Sequence, residues 1–441
     1  MSPDYSLTFL REHGSVTIEG LSLIRPILFK GEPQRFCIGV NSNSGGHVIE
    51  AGYFIGCDWL ESEQRAVHIA PKLLGQDRPL DYMKMLTESL LANETADYTH
   101  DLYEIKFDEK PVWLTRQEDL LTPLLIVEFL QRLKKLVRKG LRYSYYAVER
   151  NLYARSKGKV LVGATIARNH MKNKQLNTWC RYEEFGPDSP ENRLLKQALH
   201  AAKRYLLGVP THESSWRDSA GAVIQFCTPA FTGVSDKSIE TASLAGFEHN
   251  PFFHEYGPAL RLAQLLLKRF GYSVAEASPL AGHREPVPPF WIDMSKLFEL
   301  YVLGLLQRAY PGQIKYETEQ AGGHYGLPDY LLVDNYGQRW IIDAKYRPHY
   351  QGAGATLVLS HIIDNIRQIS GYARDKGVLK KLKYSAQEID QALPNCLVIY
   401  PDQEALMQFD SDVNLMADPI TAFNKFFKLG MRLPESTLSA G

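Results

Sequence analysis

The stretch Gly326-Leu-Pro-Asp-Tyr-Leu-Leu-Val-Asp-Asn-Tyr-Gly-Gln-Arg-Trp-Ile-Ile-Asp-Ala-Lys-Tyr346 has the pattern of a β-hairpin. Two apolar runs, 330–333 and 339–346, flank turn-forming residues. If the turn is centred on residues 335 and 336, Asp329 falls within one position of facing Asp343. Because side chains alternate along a strand, Lys345 shares a face with Asp343. The hairpin therefore gathers two carboxylates and a lysine.

Two carboxylates opposed across a strand pair repel each other, so this arrangement needs a cation. Lys345 alone is one candidate, in a salt-bridged trio with no catalytic role. The other is a hard metal ion, since Mg²⁺ is usually held by one or two carboxylates, and Mn²⁺ suits the same oxygen ligands. Asp329 and Asp343 are then the predicted metal ligands, and Lys345 orients a water or stabilises developing negative charge. This interpretation predicts metal-assisted phosphodiester hydrolysis.

The amino-acid composition limits the classes of protein to which the chain can belong. The 441 residues include 50 Lys and Arg against 50 Asp and Glu, so the chain lacks the basic excess of a dedicated nucleic-acid-binding protein. Five scattered cysteines indicate buried thiols in a reducing compartment. The sequence has no signal-peptide pattern and no apolar run long enough for a membrane span, which predicts a cytoplasmic protein without membrane contact. It also lacks a P-loop, so any nucleotide hydrolysis belongs to a partner.

Patterning along the chain predicts a multidomain α+β protein. Residues 1–78 alternate short β-type runs with turns, residues 79–270 have mainly helical periodicity, and the prolines of 271–290 indicate an extended linker. Residues 291–441 are predicted to form an α/β domain with a mixed sheet. The individual predictions are strands at 16–18, 35–40, 47–55, 66–69 and 395–401, and helices at 80–91, 120–138, 191–207, 293–307 and 361–374.

Basic residues in the middle region have two interpretations. The run 134–140 ends a predicted helix, where cations favour the helix dipole and Gly140 supplies a left-handed stop. The alternative is a phosphate-contacting patch that also includes basic residues around the predicted β-type run 160–163. The residues of that alternative are Arg155, Lys157, Lys159, Arg168 and Lys172.

Two predicted helices flank the charged hairpin. Glu299 is the single acid in the apolar middle of the first, where it is either a surface carboxylate or a group aimed at the metal. Asn365, Gln368 and Tyr372 share one face of the second. That polar row suits contacts with phosphate oxygens or support of the catalytic carboxylates.

The Pro328-Asp329 arm, the Ile342-Asp-Ala-Lys345 strand and the Gln368-x-x-x-Tyr372 helix resemble the PD-(D/E)xK nuclease superfamily in its RecB-like branch. An ordered set of stretches resembles more specifically the McrC family, the nuclease subunits of McrBC-type modification-dependent restriction systems. These stretches are 136–142, 158–166, 191–195, 342–346, 365–372 and 397–401.

The resemblance implies a Mg²⁺-dependent endonuclease whose catalytic set is Asp329, Asp343 and Lys345. It also implies a partner, a McrB-like AAA+ GTPase ring that this chain stimulates and that reads double-stranded DNA with modified cytosine such as 5-methylcytosine. Residues 1–78, with the helical region, would engage the ring. Two alternatives stand beside it. One is an adaptor of the ring with weak or lost nuclease activity, and the other is a DNA-binding module without catalysis, which the zero net charge disfavours.

Overall fold

A computed structural model of the chain describes residues 5–18, 25–43, 46–61, 64–74, 78–90, 98–99, 101–115, 118–209, 215–237, 256–273, 284–316, 328–347, 359–405 and 413–435. The chain divides into two compact units, one of residues 1–124 with 280–441 and one of residues 125–279. The described ranges contain nine α-helices and several sheets, which confirms a mixed α and β architecture. None of the described helices is long and apolar enough to cross a membrane. All five cysteines are buried and form no disulfide, as predicted.

The N-terminal part of the first unit is rich in strands, as predicted. The predicted run 47–55 is two strands rather than one, because the chain turns at Gly52 and Tyr53. The elements are β1 (Ser6–Arg11), β2 (Ser15–Ile18), β3 (Ile27–Leu28), β4 (Phe36–Asn43), β5 (Gly46–Ala51), β6 (Phe54–Glu61), β7 (Arg65–Ala70), β8 (Leu73–Leu74), β9 (Arg78–Pro79), α1 (Tyr82–Leu90), β10 (Tyr103–Ile105) and β11 (Val112–Thr115). Strands β2, β5, β4 and β3 form a four-stranded sheet.

The middle of the chain contains the predicted helices and an additional sheet. The elements are α2 (Leu121–Lys139), β12 (Ser144–Tyr153), β13 (Lys159–Val160), α3 (Val162–Arg168), β14 (Asn177–Gly186), α4 (Pro190–Leu207), α5 (Ser215–Cys227) and α6 (Tyr256–Ser273). Gly140 has a φ of 95°, which confirms the left-handed stop after α2.

Helices predominate in the described part of this region, as predicted, but the antiparallel sheet of β12, β14 and β13 was not predicted. One prediction for the region was wrong. The predicted β-type run 160–163 ends at Val160, its last paired residue. Helix α3 starts directly afterwards, with the amide of Thr165 donating to the carbonyl of Leu161 over 2.8 Å.

The C-terminal part returns to the first unit. Its elements are β15 (Arg284–Val287), β16 (Phe290–Asp293), α7 (Met294–Ala309), β17 (Ile314–Tyr316), β18 (Tyr330–Val333), β19 (Arg339–Ala344), α8 (Leu359–Tyr372), α9 (Lys376–Lys381), β20 (Asn395–Pro401) and β21 (Phe426–Met431). The sheet order is β17-β18-β19-β20-β21, with antiparallel pairs first and parallel pairs from β19 onward. This is the predicted mixed sheet. Its core against α8 contains Leu331, Ile341, Ile366 and Val398.

The predicted boundaries at 78 and 290 were wrong. Strand β16 lies between β6 and β10 in a five-stranded sheet of order β1-β7-β6-β16-β10, so the start of the C-terminal segment belongs to the N-terminal sheet. All four residues of β16 are buried, and their backbone groups need strands on both sides. Residues 284–287 of the predicted linker are extended, as expected. They form strand β15, which pairs with β11, so this part of the linker belongs to a sheet. Residues 274–283 lie outside the described ranges.

The contact between β6 and β16 gives a test of this shared sheet. Gly56 has a φ of 147°, and a Cβ there would lie 2.1 Å from the carbonyl oxygen of Phe290. We expect Gly56→Ala to lower the free energy of unfolding by about 2–4 kcal/mol, because it adds backbone strain and a steric clash. Urea denaturation measures the change. Gly39→Ala, whose Cβ would meet nothing closer than 3.9 Å, is the matched control. Equal stability of the two variants would contradict the β6–β16 register.

Candidate active site

The β18–β19 hairpin brings the predicted carboxylates together. Tyr330 pairs with Ile342 in an antiparallel register, and one step further along this register Asp329 stands opposite Asp343. The predicted alignment was therefore correct to within one residue. The backbone amide of Ala344 donates to Oδ2 of Asp329 over 2.7 Å, which fixes that carboxylate against the end of β19.

Lys345 forms an ion pair with Asp343. Its Nζ lies 2.7 Å from Oδ2 of Asp343, and the Asp343 side chain is only 2% exposed while that of Lys345 is 22% exposed. Among the described residues, the Lys345 ammonium is the one donor near this buried Oδ2. One lysine therefore balances the charge of Asp343 but not that of a second carboxylate next to it. A second carboxylate in the same place favours a further cation.

Burial and mutual repulsion act on both carboxylates. Burial raises the pKa of Asp329 well above its usual range, the neighbouring Asp343 and Glu299 raise it further, and Lys345 lowers it in part. Burial also raises the pKa of Asp343, against the lowering effect of Lys345. The site thus has more negative charge than one lysine compensates, and a bound cation would hold both groups ionised.

Helix α7 brings Glu299 into the same electrostatic environment. Its pKa is raised, first by burial and also by the carboxylates of Asp293 and Asp343, while Lys296 lowers it. Nζ of Lys296 lies 2.9 Å from Oε2 of Glu299. The hydroxyl of Tyr330 donates to the carbonyl of Glu299 over 2.6 Å, which ties α7 to the hairpin. Of the two interpretations of Glu299, these contacts favour the one directed at the site.

Lys296 is a site residue that the sequence analysis missed. Its ammonium contacts both Glu299 and the hydroxyl of Tyr316. The sequence signal for Lys296 was its i, i+3 spacing with Glu299, which places both side chains on one face of a helix. Tyr316 carried no signal, because only the pairing of β17 with β18 brings it to this place.

Helix α8 contributes Tyr372 to the site. The Tyr372 side chain is 1% exposed, and its pKa is raised first by burial and then by the charge of Asp343. Nε2 of Gln368 donates to the Tyr372 hydroxyl over 2.6 Å, so the exposed Gln368 is linked to the site through the tyrosine. Asn365 lies earlier on α8 and is partly buried. Two members of the polar row are thus linked to the site, and the role of Asn365 stays a prediction.

The donor set is compatible with a hard cation. Within the described ranges, no group of three or more His, Cys, Asp and Glu side chains is arranged to hold a metal. Two carboxylates are enough for Mg²⁺, which keeps several waters. Asp329 and Asp343 meet that requirement, since Asp343 is buried, Asp329 is half-buried beside it, and the pKa of each carboxyl group is raised. The residues present therefore fit this ion.

The chain matches a known protein family. The family model of the McrBC 5-methylcytosine restriction system component matches residues 49–372. The chain belongs to this family. The match covers the site from Glu299 to Tyr372, and it confirms the resemblance inferred from the sequence. No curated protein matches the chain.

Two solved structures are similar to this McrBC family chain. One is the refined half-complex from a tetradecameric assembly of Thermococcus gammatolerans McrB AAA+ hexamers with bound McrC, at 15% identity and a TM-score of 0.42. The match covers 97% of this chain and 94% of that one. The other is the Thermococcus gammatolerans McrBC complex, at 16% identity and a TM-score of 0.31, with coverage of 69% and 88%.

In this McrBC family chain, Tyr346, the residue after Lys345, contacts residues of the N-terminal part of the chain. The Tyr346 side chain is buried, its hydroxyl lies 3.4 Å from Oε2 of Glu12, and the Lys72 ammonium stands 3.5 Å from its ring centre. The ring of Phe298, next to Glu299 on α7, packs against it at 5.6 Å. Tyr346 thus fixes the chain between Lys345 and the N-terminal sheets, a link that carried no sequence signal.

Glu12 gives this anchor a pH dependence. Burial raises the pKa of Glu12 to about 7, although the nearby Lys72 lowers it, and Oε1 of Glu12 has no partner among the described residues. A carboxyl group with a raised pKa binds more protons when folded. Its contribution to stability is therefore complete below its ordinary pKa of 4.5 and is lost as the pH rises through about 7.

We expect Glu12→Gln to remove this pH dependence. Between pH 5 and pH 8, Glu12 lowers the free energy of unfolding of the wild-type chain by up to about 3 kcal/mol. The variant lacks that contribution, so its stability relative to the wild type increases across this interval. Urea denaturation at several pH values measures the difference. Glu50→Gln, at an exposed position on β5, is the control. Parallel curves for Glu12→Gln and the wild type would contradict the assignment.

Proposed function

We propose that the chain is a metal-dependent DNA endonuclease of the PD-(D/E)xK type, acting as the nuclease subunit of a McrBC-like restriction complex. The observation that carries this proposal is the pair of carboxylates, the half-buried Asp329 and the buried Asp343, which one hairpin brings together with Lys345 beside them. A purely structural ion-pair trio explains this arrangement less well. One lysine lies against Oδ2 of Asp343, and the pKa values of both carboxyl groups remain raised despite it.

Each residue has a role in this chemistry. Asp329 and Asp343 would hold Mg²⁺, or Mn²⁺, whose chemistry is to polarise a phosphoryl oxygen and to lower the pKa of a bound water. The Lys345 ammonium donates to the attacking water or to the phosphate oxygens as negative charge develops. Glu299, held by Lys296, adds negative charge on the side of α7. Tyr372 and Gln368 orient the groups around Asp343 through their mutual hydrogen bond.

The cleavage assignment is tested by single substitutions. We expect Asp343→Ala and Lys345→Ala each to slow cleavage of duplex DNA by at least about 100-fold, because each removes a charge that acts on the transition state. The measurement is nicking of plasmid DNA that contains 5-methylcytosine, with Mg²⁺ and with a chelator, in the presence of the partner ring. Asp364→Ala and Lys376→Ala, with side chains 90% and 73% exposed, are the matched controls. Wild-type cleavage by Asp343→Ala would refute the assignment.

We further propose that an AAA+ GTPase ring is the partner. The chain lacks a P-loop of its own, so GTP hydrolysis in such a system needs another protein. The family to which the chain belongs is named for a component of a restriction system. In this proposal the ring reads modified cytosine and hydrolyses GTP, and the chain stimulates that hydrolysis and cuts the DNA.

The rival function is an adaptor without nuclease activity. Measuring GTP turnover together with DNA cleavage distinguishes it from a nuclease subunit. We expect the wild-type chain and Asp343→Ala to raise the GTP turnover of the purified partner ring equally, because the active-site charge takes no part in GTP hydrolysis. Phosphate release with and without each chain measures the effect. Stimulation without any cleavage by the wild-type chain would support the adaptor. Unchanged turnover would refute the partner role and leave the nuclease test unaffected.

A further inference from the structure

One segment of the second unit is rich in basic residues. Residues 150–182 contain eight Lys and Arg residues and no Asp or Glu, although the whole chain has equal numbers of basic and acidic residues. Six of the eight lie between residues 155 and 174, and we call this group the basic tip. Its members are Arg155, Lys157, Lys159, Arg168, Lys172 and Lys174.

The basic tip is presented by an ordered scaffold. Strands β12, β14 and β13 carry the segment, and Leu152, Cys180 and Tyr182 form its small core. Asn169 is 1% exposed, and its amide exchanges hydrogen bonds of 2.8 and 3.0 Å with that of Asn151. Gly158 allows close packing on β14, since a Cβ there would lie 2.6 Å from the carbonyl oxygen of Arg181. The charged side chains therefore extend from a fixed framework.

The charges of the basic tip are not compensated within the described part of the chain. All six side chains are exposed, and none forms an ion pair with a described residue. By contrast, the two basic residues that flank the tip, Arg150 and Arg181, are paired with Glu184 and Glu149.

We propose that the basic tip binds the phosphate backbone of duplex DNA, as a second DNA contact in a different unit from the cleavage site. Exposed Lys and Arg side chains without acidic partners are the electrostatic footprint of a nucleic-acid interface, because they release counterions from the phosphates. The inference rests on the proposed DNA cleavage and extends it to a second contact with the same substrate. The binding itself requires neither metal nor catalysis.

The exposed apolar residues of the segment favour backbone contact over stacking on single-stranded bases. Tyr153 is its one exposed aromatic side chain, whereas Val162, Ile166 and Met171 are exposed aliphatic residues. Binding to single strands usually relies on aromatic stacking, which this surface does not offer in number. An acidic and apolar protein surface is the rival occupant, and the experiment separates the two.

The test compares two fourfold variants with the same change in charge. The tip variant replaces Arg155, Lys159, Lys172 and Lys174 with Ala and retains Lys157 and Arg168, which stack on Tyr182 and Trp179. The control variant replaces four exposed residues of the same unit, namely Lys203, Arg204, Lys237 and Arg261. Thermal melting verifies that both fold. A third variant, with Lys→Arg at 159, 172 and 174, keeps the charge and is expected to bind DNA like the wild type.

Fluorescence anisotropy with a labelled duplex of about 30 base pairs, in a chelator and at several salt concentrations, measures binding. We expect the tip variant to bind at least about tenfold more weakly, with the slope of log K against log salt reduced by about 0.9 for each phosphate that is no longer neutralised. The control variant should retain both values. Wild-type affinity and slope in the tip variant would refute the proposal, as would a tip variant that loses only its association with the GTPase ring. Repeating the titration in an Asp343→Ala background separates this result from the cleavage test.

Discussion

The opposition of two carboxylates across a single hairpin is the constraint on which the first unit depends. Asp343 is buried in β19, where it pairs with Val398 of β20, and the half-buried Asp329 is held at the end of β19 by the amide of Ala344. Placing two like charges together away from water costs free energy in the absence of a cation. A protein retains such an arrangement where the charge has a use. The neighbouring elements therefore position and moderate that charge.

Helices α7 and α8 contact opposite faces of the hairpin. Leu331 and Ile341 pack in the core that includes α8, whereas Tyr330 alternates to the other face and reaches the backbone of α7 through its hydroxyl. Asp343 shares the face of Ile341, which explains why Tyr372 of α8 is affected by its charge. After a one-residue slip of β18 against β19, Asp329 would share the face of Ile342 instead of the face of Asp343. The sheet register therefore sets both the packing and the chemistry.

The N-terminal strands support this hairpin instead of forming a separate domain. Strand β16 is an internal strand of the N-terminal sheet, and α7 starts directly after it with Asp293 as its N-cap. Arg35 forms an ion pair with the same Asp293, and Tyr346 is anchored beside Glu12. The start of α7 and the end of β19 are thus both tied to residues of the first 72. A change in the N-terminal strands should reach Glu299 and Lys345 through these two connections.

The local features of this arrangement were predictable from the sequence, and the long-range ones were not. The hairpin, the strand 395–401 and the helices α2, α4, α7 and α8 follow from patterns within a few residues, such as alternation, helical periodicity and turn residues. The insertion of β16 beside β6 depends on residues more than 230 positions apart, and no local pattern encodes it. The local pattern of the hairpin likewise indicated Asp329, Asp343 and Lys345, whereas Glu12, far away in the sequence, became apparent only in the folded chain.

The zero net charge of the chain says little about its attraction to DNA, for a physical reason. A formal charge of zero suggests weak attraction to DNA only if the charges are mixed at the scale of the Debye length, which is about 8–10 Å in physiological salt. Here residues 150–182 have eight basic and no acidic side chains, so the rest of the chain has eight more acids than bases. Some of those acids lie at the buried site of Asp329 and Asp343, where a metal ion would offset them. Segregated charge of this kind allows one neutral chain to have a cationic segment and an anionic site at once.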